Sequence, residues 1–61
     1  MSPAEQAFEN LLRTCGMAAD LGAFRLAVTL APVRPAMCET VLKTLCGRIV
    51  EQMAREARHR S

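Results

Sequence analysis

From residue 37 onward the apolar positions come in pairs. Met37-Cys38, Val41-Leu42, Leu45-Cys46, Ile49-Val50 and Met53-Ala54 alternate with polar pairs. This four-residue recurrence predicts a long helix over about 36 to 57. Each step of four overshoots the 3.6-residue turn by about 40°. Across five pairs the apolar stripe therefore migrates roughly half way round the helix. Its two ends must face different neighbours, so the pattern calls for a bundle of at least three or four helices. Glu39 and Lys43, Glu51 and Arg55, and Glu56 and Arg60 stand four apart, acid first, which is the favourable order for helical ion pairs.

The amino-terminal stretch predicts a second amphipathic helix. Ser2 can cap it, Pro3 suits its first position, and Glu5 is placed to close a capping box. Ala4, Ala7, Phe8, Leu11, Leu12 and Cys15 recur at three- and four-residue steps, with Glu5, Glu9, Asn10 and Arg13 outside. The expected helix runs from about 3 to about 20, with Gly16 or Gly22 as its terminal glycine. Residues 23–31 read two ways. Phe24, Leu26, Val28 and Leu30 alternate as in a strand, while Leu21, Phe24, Val28 and Ala31 make a helical stripe. A lone strand would need a mate from another copy, so a short helix is preferred over an intermolecular strand. Pro32 and Pro35 then predict an extended connector at 31–35.

The two long elements share a quasi-repeat. Glu9, Leu11, Leu12, Arg13 and Thr14 match Glu39, Val41, Leu42, Lys43 and Thr44 at one offset, and one inserted residue aligns Cys15-Gly16 with Cys46-Gly47. The echo places Gly16 and Gly47 at an expected close helix crossing, since mid-helix glycine otherwise costs about 1 kcal/mol relative to Ala. Phe24, Ala27 and Pro32, with Leu11, resemble residues of a tetratricopeptide repeat over residues 1–34. Phe8 and Asp20 depart from that pattern where small residues are expected, and the next unit keeps only Ala54. The resemblance implies a helical hairpin before Pro32 and carries no function.

Length and composition narrow the rest. Sixty-one residues form one small helical domain at most, 1–61. Such a chain buries only about 60% of its unfolded surface, so it leans on disulfides, metal or association. Three cysteines, Cys15, Cys38 and Cys46, lack framework or metal-ligand spacing and read as small buried side chains in a reducing compartment. No secretory leader or apolar run of membrane-spanning length is apparent, so a cytoplasmic location is expected. With one His, no Tyr, no Trp and no phosphate-binding glycine loop, neither catalysis nor a cofactor or metal is expected. Association remains.

Net charge is +2, unevenly spread: residues 1–22 carry three acids against Arg13, a net −2, and residues 23–61 seven bases against three acids, a net +4. The two segments can complement each other within the chain or across a dimer. The expected protein is therefore all-α: a helical hairpin plus a long carboxy-terminal helix, packed as a bundle in a homodimer. Its expected role is a protein–protein interaction module, such as a small regulator, adaptor or secretion-type chaperone. The interface candidates are Phe8, Leu12, Phe24, Leu42, Leu45, Ile49 and Met53, with the methionines Met17, Met37 and Met53 suited to an adaptable face. The alternative is a dimeric nucleic-acid-binding regulator that contacts phosphates through Arg48, Arg55, Arg58 and Arg60.

Overall fold

The computed structural model describes residues 2–60. It contains three α-helices, α1 (Pro3–Thr14), α2 (Leu21–Leu30) and α3 (Pro35–Arg60), with one 3-10 turn, Ala18–Asp20, between the first two. The chain is all-α, with no strand among the described residues. The alternation in residues 23–31 was therefore not a strand signal. Phe24 and Ala27, three apart, are the buried positions of α2, which is helical spacing.

Helix α1 starts as its sequence predicts. Ser2 is the cap, its hydroxyl accepts the Glu5 backbone N–H at 3.2 Å, and Pro3 fills the first turn. It ends earlier than expected, at Thr14. Gly16 takes φ +71°, its N–H donates to the Arg13 carbonyl at 3.1 Å, and the Met17 N–H donates to the Leu12 carbonyl at 2.8 Å. These two bonds form a Schellman motif, and the side chains of Leu12 and Met17 close it in the buried cluster. Gly16 is thus a helix terminator, with nothing within 4 Å of where its Cβ would stand. Gly47 is exposed in mid-helix with equally open surroundings. Neither glycine marks a close helix crossing within this chain, because no other backbone approaches either one.

The proline segment is a turn and not an extended connector. Ala31 has φ −52° and ψ −42°, the helical basin, despite preceding Pro32. The backbone N–H groups of Val33 and Arg34 both donate to the Leu30 carbonyl, at 3.0 and 2.6 Å. That local bonding outweighs the pre-proline bias, and Pro35 opens α3.

The core joins all three helices. Leu12, Met17, Phe24, Leu45 and Ile49 form its buried centre, with Phe8, Cys15, Leu21, Val28, Val41 and Leu42 packed around it. Phe8 stacks on Phe24 with ring centroids 4.7 Å apart and planes at 19°, an offset geometry that adds to their burial. Two long-range ion pairs tie the elements together: Arg25 to Glu9 and Arg48 to Asp20, the latter at 2.9 Å. Both join an acid of the first 22 residues to an arginine of the remainder.

The core covers α3 along only part of its length. Cys38, Leu45 and Ile49 are buried, whereas every residue from Val50 to Arg60 except Gln52 is exposed. The molecule measures 44 × 20 × 18 Å, with a radius of gyration of 12.5 Å. A compact chain of this length would have a radius near 10.5 Å. The carboxy-terminal turns of α3 project past the bundle and account for the elongation.

A candidate docking groove

Two neighbouring concavities on one side of the molecule merge into a shallow groove. Its α3 wall is Pro35, Cys38, Leu42 and Cys46, its floor is Phe24 and Val28 of α2 with Ala31 just after that helix, and its opposite wall is Ala4 and Phe8 of α1. Each concavity encloses ≈ 470 Å³. The floor exists because α2 packs against both other helices. Charged groups also line it: Glu5 on α1, and Glu39 and Lys43 on α3, the last two joined at 2.9 Å.

Beyond the bundle the line is prolonged along α3. Met53 lies about 20° round the helix from Leu42, Ala57 about 60° and Val50 about 80°. Val50 is 65% exposed and Met53 55%. Altogether the chain exposes 4452 Å², some 500 Å² more than the roughly 3,900 Å² of a compact protein of its mass. The surplus is of the order that one partner contributes to a specific interface, about 800 Å².

The sequence-based interface candidates divide. Leu12, Leu45 and Ile49 are buried in this chain's own core, and Phe24, equally buried, forms part of the groove floor. Phe8 and Leu42, half-buried, line the groove, and Met53 is exposed. Met17 belongs to the core and not to an adaptable face, since it closes the end of α1. Met37 is 36% exposed, on the side of α3 away from Leu42. Of the free cysteines Cys38 is buried, Cys15 half-buried and Cys46 exposed on the groove wall, against the expectation that all three fill the interior. Val50 and Cys46 were missed as candidates. For Val50 the long apolar pattern held the signal, because it runs on past the part of α3 that the other helices can cover; for Cys46, beside the buried Leu45, the pattern held none.

The four arginines do not form one patch. Arg48 is engaged by Asp20. Arg55 and Arg58 point within about 60° of each other, while Arg60 lies about 140° round from Arg55.

The most enclosed charge lies behind the groove. Glu9, expected on the outside of α1, is only 2% exposed. Arg25 covers it with a two-pronged contact, Nε to Oε2 at 3.0 Å and Nη2 to Oε1 at 3.1 Å, and Arg13 stands at 3.7 Å. The hydrogen bonds from Arg25 hold the Glu9 carboxyl below its ordinary value of 4.5. Burial opposes them, and the charges of Arg25 and Arg13 assist. Arg25 is raised in turn, chiefly by the same hydrogen bonds. Both carboxylate oxygens are bonded and no buried side-chain polar atom among the described residues lacks a partner, so this is a structural clamp between α1 and α2. No group of three or more potential metal ligands occurs among the described residues, and no helix among them is long and apolar enough to cross a membrane.

No protein-family model, no curated protein and no solved structure matches this chain.

Proposed function

We propose that this protein is a non-enzymatic protein–protein interaction module: a small regulator, adaptor or secretion-type chaperone, working as a homodimer or with another protein. It receives an amphipathic helix in the groove between α1 and α3. One observation carries the reading. The apolar groove formed by Phe8, Phe24, Val28, Leu42 and Cys46 opens to solvent and continues along α3 as Val50 and Met53. An uncovered apolar face of that extent on so small a chain favours a protein partner. Helix-in-groove recognition suits its shape, with anchors at three- and four-residue spacing.

Photo-reactive side chains placed one at a time at Cys46, Met53, Gln6 and Arg34 in living cells test this. Adducts to protein are expected from Cys46 and Met53, on the groove line, and not from Gln6 or Arg34. Equal labelling from all four positions, or none from any, would refute the reading.

The nucleic-acid alternative rests on Arg55 and Arg58, which share an exposed face. It requires retention on DNA that falls steeply with salt and is lost in the double alanine variant.

A further inference from the structure

We propose that the groove is filled by the carboxy-terminal half of α3 from a second copy, the two α3 helices lying antiparallel about a two-fold axis between Cys46 and Val50. This rests on the docking reading and names the occupant.

Length is the first support. The groove wall on α3 runs from Pro35 to Cys46, and the projecting segment from Val50 to Arg60. These stretches of twelve and eleven residues each span about 16–18 Å. The two are nearly equal in length, and both belong to one continuous helix. A two-fold axis between them lays each copy's projection on the other copy's wall. The contact is isologous and closes, using both surfaces of both chains once.

The apolar character matches too. Val50, Met53 and Ala57 form the projection's apolar line, and Leu42, Cys46 and Phe8 the surface that receives it. Together they cover the large apolar side chains left open along this side.

Charge then fixes direction. A parallel pair would set Arg55, Arg58 and Arg60 of both copies side by side. The antiparallel pair separates those ends and brings each to the far end of the partner's groove. There Glu5 and Glu39 line the groove, and Glu5 forms no ion pair among the described residues. Opposite helix dipoles favour the same arrangement.

In this register Lys43 of one copy faces Met53 of the other, and both side chains are exposed in the single chain. The test uses Cys46→Ser as parent, with Lys43→Cys or Met53→Cys added, sedimentation equilibrium for mass, and a short bismaleimide for linkage. A dimeric mass is expected at micromolar concentration. Covalent dimers are expected from the mixed variants, with little from either variant alone or from the parent. Links formed within each variant alone, and none added by mixing, would show a parallel pair and overturn the proposal. A monomeric mass at high micromolar concentration would overturn it as well. Both outcomes leave the photo-labelling result free, since adducts to a different protein would keep the docking reading while removing the second copy as occupant.

Discussion

Gly16 and Gly47 look alike in the sequence and do opposite things. At φ +71° Gly16 holds a backbone state that costs an L-residue about 1–2 kcal/mol. Gly16→Ala is therefore expected to lower unfolding free energy by about 1 kcal/mol or more. Gly47 sits in a regular helix with open space beside it, so Gly47→Ala is expected to raise stability by up to about 1 kcal/mol. Urea titration of both variants checks the pair. What distinguishes them was partly legible: a large apolar residue directly after Gly16, spaced to meet Leu12, is the sign of a Schellman end, whereas Gly47 is followed by Arg48 and Gly22 has only Ala18 and Ala23 at the same places. The burial of Glu9 was not legible. Its i, i+4 partner Arg13 suggested a surface pair, and only folding brings Arg25, sixteen residues on, across it. Because Glu9 is held below its unfolded value, its contribution is present above about pH 4.5 and is lost as pH falls through the lower folded value. Arg25→Ala is expected to lower stability at neutral pH and to flatten that acid-side loss, since a Glu9 without its clamp favours protonation. Thermal melts from pH 7 to pH 3 read both effects.

The periodicity placed α1 and α3, because three- and four-residue spacing encodes which side meets a neighbour, but it put Leu11 inside α1 and Glu9 outside, and the structure reverses both. It could not place the ends, since those depend on single backbone bonds such as Arg34 to the Leu30 carbonyl. Nor could it say which apolar residues would be used up inside. Leu45 was grouped with Met53 as an interface candidate, yet one is 3% exposed and the other 55%. The distinction appears only once α2 has covered the first half of α3. Leu45→Ala should consequently remove the fold and not merely a contact. A buried Leu→Ala change costs about 2–5 kcal/mol, and a core this small supplies rarely more than about 3–5. Loss of a cooperative transition by circular dichroism is expected for Leu45→Ala.

At the scale of the whole molecule the surplus surface connects stability to concentration. A fold that completes itself by pairing gains stability by mass action. The melting temperature is expected to rise with protein concentration. In Met53→Asp the rise should vanish while helix content below the transition is kept, because Met53 is exposed and lies outside the core cluster. Calorimetry over a hundredfold range of concentration measures this. The projecting end of α3 has one more consequence, for the timing of amide exchange. Up to Ile49 its backbone hydrogen bonds are backed by a packed core; from Val50 to Arg60 they are backed by the helix alone, and eleven unsupported residues are marginal in water. In a dilute sample, deuterium should enter α3 as a gradient that sweeps inward from Arg60 and halts near Ile49. When the outer turns acquire a neighbour, that front should retreat toward the carboxy terminus, giving a residue-by-residue clock of when the helix is covered.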